Sequence, residues 1–127
     1  MNLPKRSVSE HLAAAFSGMP PTLPFAVAGM CDAVLMDVAG LCVAARNSDY
    51  LRAALRATAE PGVCTLIGHA GGFNVATAAL CNGTAAHGED YDDTFEGGPV
   101  HAGAVIVPAM LATAEQHDLA GADLIRG

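Results

Sequence analysis

Apolar residues recur along most of this chain at three- and four-residue spacing, a rhythm that predicts helices. Ser7 to Phe16 reads as a first short helix, with Ser7 as N-cap and Glu10 at the capping-box position. Gly18 and the Pro20-Pro21 pair stop it. Pro24 then opens a long helix to about Ala45, in which Phe25, Ala28, Cys31, Leu35, Val38 and Cys42 keep the spacing. Asp32 and Asp37 mark a polar edge on it. Asp37 lies so deep in the helix that a hydrogen bond to a neighbouring element is expected of it, rather than chemistry. Ser48 caps a third helix, Asp49 to Thr58, with Arg52 and Arg56 on one face, and Pro61-Gly62 breaks the pattern.

Val63 to Ile67 is a short β-like run, closed by Gly68-His69-Ala70-Gly71-Gly72. A glycine-rich turn into a helix can hold an anion on free N–H groups. Here neither the dinucleotide-binding glycine pattern nor the P-loop lysine is present, so the segment reads as a plain turn and His69 as a turn or capping residue. Phe73 to His87 returns to helical spacing, with Val75, Ala78, Ala79 and Ala86 available for tight packing and Gly83 placed to admit another backbone. His101 to Asp118 is the last long helix, Gly121 ends the next turn, and Ala122 to Gly127 begins another. The expectation is a single, mostly α domain over residues 1–127, with one short strand near 63–67. The domain reads as incomplete, because the chain stops where a packed protein should continue.

Composition narrows the picture. Hydrophobic residues make up 52%, which excludes disorder. Abundant alanine and few aromatics favour closely packed helices over a β-sandwich. The apolar surplus suggests a surface meant for a partner subunit or for further sequence. A net charge of -7 speaks against nucleic acid, whose phosphates want Lys and Arg. Of the six basic residues only Lys5-Arg6 adjoin, and Arg52 and Arg56 are the next candidates for an anion. Cys31, Cys42, Cys64 and Cys81 show no paired spacing and read as reduced core thiols of a cytosolic protein. The longest uncharged apolar stretch, Ala102 to Ala114, falls short of the ~20 residues of a membrane span, and Pro108 interrupts it. A soluble, cytoplasmic protein with no membrane partner is expected.

Candidate chemistry concentrates between residues 87 and 101, where His87, Glu89, Asp90, Asp92, Asp93, Glu96 and His101 crowd between apolar helices. Carboxylates so close repel one another unless solvated, paired or protonated. Three readings compete. The run is a solvated acidic loop, or a metal site, or a metal-free acid–base site in which a carboxylate and a histidine move protons together. The metal reading finds no zinc-type spacing, and residues 90–93 fail the calcium-loop template.

A longer pattern weighs on that choice: Asn82-Gly83, His87, Asp90-Tyr91-Asp92-Asp93-Thr94, His101-Ala102-Gly103 and Pro108-Ala109, then Ala114-Glu115 and Gly121 to Leu124. It resembles the MmgE/PrpD family, which includes 2-methylcitrate dehydratase, cis-aconitate decarboxylase and an epimerase of iminodisuccinate. Leu35 with Asp37, and the strand-like run ending at Gly68, are also similar to it. The resemblance covers essentially the whole chain. It implies the N-terminal part of a mostly helical domain, a second, smaller α+β domain, and a homodimer. It also implies lyase chemistry on a small polycarboxylate with neither metal nor organic cofactor. Matched residue by residue, it places Asp90, Thr94 and His101 in the substrate pocket, while Asp92 and Asp93 fit structural tasks such as capping a helix or ordering the loop. Two departures bear on substrate choice: Ala102 stands where proline is frequent, and the loop from Phe95 to Val100 carries Glu96 and two glycines. Family chains are severalfold longer, with further catalytic positions beyond residue 127. This segment alone is therefore expected to be an inactive, N-terminal piece.

Overall fold

The computed structural model describes residues 6–20 and 22–126; Lys5, Pro21 and Gly127, named above, lie outside them. In chain order come α1 (Val8–Ser17), α2 (Phe25–Ala45), α3 (Asp49–Thr58), β1 (Pro61–Cys64), α4 (Val75–His87), α5 (Ala102–Gln116) and α6 (Gly121–Arg126). The architecture is mostly α, with one short strand and no sheet among the described residues.

The helix starts follow the capping rules. Ser7 and Glu10 form a reciprocal capping box on α1, and the Ser48 side chain accepts from Leu51 N at 3.3 Å to open α3. Asn74 does the same for α4, its Oδ1 accepting from Thr77 N at 2.7 Å. That cap corrects one expected boundary, since Phe73 is not helical. It bridges back to Pro61 and Cys64, and Gly62 N donates to Gly72 O at 3.2 Å. The strand accordingly sits at Pro61–Cys64, two to three residues before the expected 63–67, because its pairing partner is the segment leading into α4.

Helix α4 runs through the middle of the fold and touches α2, α3, α5 and β1. Thr77, Ala78, Cys81, Asn82, Ala85 and Ala86 are all buried, and such small side chains let neighbours close in from several directions. The main core joins Cys81, Ala85 and Ala86 to Val38 and Cys42 of α2, Leu51 of α3, Leu66, and Ala104 and Val107 of α5. Asn82 is polar and buried among them. Its amide nitrogen donates to Thr65 O and its Oδ1 accepts from Ile67 N, both at 2.9 Å, so one buried side chain pins the segment after β1. Glu115 of α5 grips the same segment from the other side through Thr65 N at 2.6 Å.

Three cysteines, 42, 64 and 81, are buried and all four are free, as the spacing led one to expect. Asp37 departs from expectation. It is exposed on α2 and makes no side-chain hydrogen bond among the described residues, because it falls on the face that packs against nothing here. Phe25 and Met36 of α2 are exposed as well. By length and composition alone α2, at 21 residues, is apolar enough to cross a membrane, although Asp32 and Asp37 both lie on it and its other face packs on α4 and α5.

Candidate active site

The acidic run becomes a loop between the C-terminus of α4 and the N-terminus of α5, and its residues divide by environment. Glu89 and Glu96 are exposed, as the solvated reading holds for them. Asp93 turns inward and accepts from Gly103 N at 2.8 Å. It caps α5 from a distance, a place where the positive end of the helix favours a carboxylate. Asp92 is buried, its side chain wholly hidden from solvent. Of the structural tasks expected of this pair, capping a helix falls to Asp93.

His101, expected inside the last helix, instead takes the N-cap position of α5, with φ -105° and ψ 79°. Its backbone leaves the helix there, so its ring swings back towards the loop rather than out along the helix face. Nε2 lies 3.6 Å from Asp90 Oδ1, and Nδ1 lies 3.2 Å from Asp92 Oδ1. The second distance is that of a hydrogen bond, yet its direction is not. Nδ1 is shut off from solvent without a hydrogen-bond partner. His87, in the last turn of α4, reaches the same carboxylate, its Nδ1 3.1 Å from both Asp92 oxygens. The two imidazole rings stand 4.9 Å apart, tilted by 59°.

Asp90 is set by a turn: its N–H donates to His87 O at 2.9 Å, and its backbone is left-handed at φ 57°. Its side chain is 78% exposed, so it forms the wet side of the cluster while Asp92 forms the dry side. Thr94 is exposed, and its hydroxyl donates to Asp92 O at 3.4 Å. Of the three residues singled out from sequence, Asp90 and His101 are brought together. Thr94 meets them only through the Asp92 backbone. The participants missed as a pair were His87 and Asp92. The sole sequence signal for them was their presence in the same polar run, since loop burial follows no period that a pattern could reveal.

One ligand atom each from His87, Asp90, Asp92 and His101 lies within 4.8 Å of the others, a set of donors that a divalent ion can bridge. Hydrogen bonding already engages Asp92 through His87. A cavity of about 490 Å³ lies elsewhere. It runs between α1, α2, α5 and α6, is walled by residues such as Phe16, Val27, Met30 and Ile106, and meets the loop only at Asp93.

The loop and its paired histidines fall inside a stretch for which a family model decides the matter. The MmgE/PrpD N-terminal domain matches residues 11–127. The chain belongs to the MmgE/PrpD family. No curated protein and no solved structure matches it. Within this MmgE/PrpD domain the loop holds an imidazole at a helix start, with an exposed carboxylate on its Nε2 side and a buried one on its Nδ1 side.

Proposed function

We propose that this MmgE/PrpD domain carries part of the active site of a lyase that dehydrates a small hydroxy-polycarboxylate by acid–base chemistry. The observation behind the reading is the position of His101, between the exposed Asp90 and the buried Asp92. In the reaction His101 Nε2 takes a proton from the carbon beside a substrate carboxylate. The carbon–hydrogen electron pair becomes the new double bond, and the neighbouring carbon–oxygen bond breaks. The hydroxyl takes a proton from an acid supplied from outside the loop and departs as water. Asp90 orients or polarises the imidazole, and Thr94 hydrogen-bonds a substrate carboxylate or hydroxyl. Counter-charges for the substrate carboxylates come from outside the loop. Arg46 donates to Val43 O and Arg52 pairs with Asp49, and neither reaches the cluster. The acting unit is a cytoplasmic homodimer.

The test is turnover by the protein as its source cell produces it, with 2-methylcitrate and cis-aconitate as substrates. An unsaturated tricarboxylate formed with loss of water supports dehydration. Release of carbon dioxide, or inversion at a carbon without net loss, replaces it with the decarboxylase or epimerase chemistry of the same family. The exposed apolar face of α2 favours one further reading, a helical module that binds a partner without catalysis. A stable oligomer that turns over none of these substrates would favour that module.

A further inference from the structure

The least expected feature of the site is that one buried carboxylate serves two imidazoles. Asp92 has no solvent to satisfy it, and His87 Nδ1 approaches both of its oxygens at 3.1 Å. A carboxylate held at both oxygens by one N–H donor is fixed in plane and rotation. That fixed carboxylate is what faces the enclosed, unpartnered Nδ1 of His101 at 3.2 Å. In neutral imidazole one nitrogen is a donor and the other an acceptor, and the hydrogen bond made by one nitrogen decides the state of the other. A small rotation of either ring completes the Nδ1–H bond of His101 to Asp92, a tightening often left to the substrate complex. Nε2 then carries the free lone pair on the side of Asp90.

We propose that His87 is a positioning residue: through Asp92 it holds His101 in the Nδ1–H tautomer, leaving Nε2 as the proton-transferring atom. The proposal rests on the reading of His101 as the proton-transfer group. It assigns His87 a task beyond the one its place already provides, since a histidine in the last turn of α4 also complements the helix dipole. A dipole role leaves the tautomer of His101 untouched, and the two are separable by experiment.

The experiment uses the intact protein labelled with 15N-histidine, in which imidazole nitrogen shifts report the tautomer, together with steady-state turnover. The native protein is expected to show His101 protonated at Nδ1. His87→Phe, which keeps a ring but removes the donor, moves His101 to the Nε2–H form that free imidazole favours. It also lowers kcat on the order of ten- to a hundred-fold, the scale of loss when the partner that orients a metal-bound imidazole is removed, with KM changed far less. His87→Asn places an amide nitrogen near the former Nδ1 and restores both readouts. Should the phenylalanine variant not fold, His87→Gln, whose nitrogen matches the Nε2 position instead, takes its place. An Nε2–H His101 in the native protein, or an unchanged tautomer in folded His87→Phe or His87→Gln, overturns the proposal. If no polycarboxylate is turned over, the lyase reading fails while the nitrogen shifts still decide the role of His87.

Discussion

Gly83 of α4 faces the main-chain carbonyl of Ala104 in α5, so closely that a Cβ at residue 83 would stand 3.0 Å from that oxygen. The oxygen lacks its usual helical donor because Pro108, four residues on, has no N–H. Two residues that read as helix breakers therefore meet at one helix crossing. Gly83→Ala gains helix propensity of ~1 kcal/mol, but it presses a methyl group against backbone, and overpacking costs ~1–3 kcal/mol. The expected net result is a lower Tm. Gly40→Ala in α2, where nothing lies within 4 Å of the new methyl, is expected to raise it.

Asn82→Leu keeps the shape of the side chain and removes both hydrogen bonds. Ile67 N and Thr65 O then lose their partner in a partly buried place, at about 1 kcal/mol for each bond. Urea unfolding should show a lower midpoint at unchanged slope, and amide exchange at Ile67 should quicken.

Asp93→Ala removes the carboxylate that caps α5 from the loop, a loss of about 1 kcal/mol. Gly103→Ala reaches the same end from the other partner, since its methyl would overlap the Asp93 carboxylate and crowd Val34. Both variants are expected to lower turnover of the intact protein as well as Tm, because the start of α5 is also where His101 sits. Stability loss with native turnover would show that the cap and the site are independent.

His101→Asn in the intact protein removes the proposed proton carrier. A positioned acid–base group contributes on the order of 10²–10⁴ in rate, so kcat should fall by that factor. Thr94→Val should instead raise KM. Near-native rates in the His101 variant would sink its assignment.

Burial pushes the Cys42 thiol from 9.0 up to about 11. The folded protein thus favours the protonated thiol, whereas in the unfolded chain it ionises at its ordinary value. The stabilisation is complete below about pH 9 and is lost as pH rises towards 11, up to on the order of 2 kcal/mol. Urea midpoints measured across that window should fall, and less so in Cys42→Ala. Near pH 8, iodoacetamide should label the half-buried Cys31 before Cys42.

The elements that sequence reading placed well are those whose signals are local. Ser7 with Glu10 and Ser48 are self-contained caps, and their helices start as expected. Phe73 was misplaced because its helical spacing competes with a bridge to β1, a partner twelve residues away that no local rule sees. His101 continues the apolar rhythm of α5 and so looked helical, yet its backbone departs to serve as the N-cap. In the site, residue types pointed to Asp90 and His101, while burial distinguished Asp92 from its exposed neighbours. Burial in a loop is settled by what packs over it. Asp37 shows the reverse error: depth within a helix implied a partner, and the face it occupies has none among the described residues.

The left-handed backbone of Asp90 carries a consequence for how this loop can change. An aspartate tolerates that conformation better than most residues, but a glycine takes it without steric cost. Asp90→Gly should therefore relax the turn while removing the carboxylate beside His101. If Asp90 serves His101 as proposed, the turn that glycine would ease is the same position that must keep its carboxylate, and endurance and activity pull this residue in opposite directions.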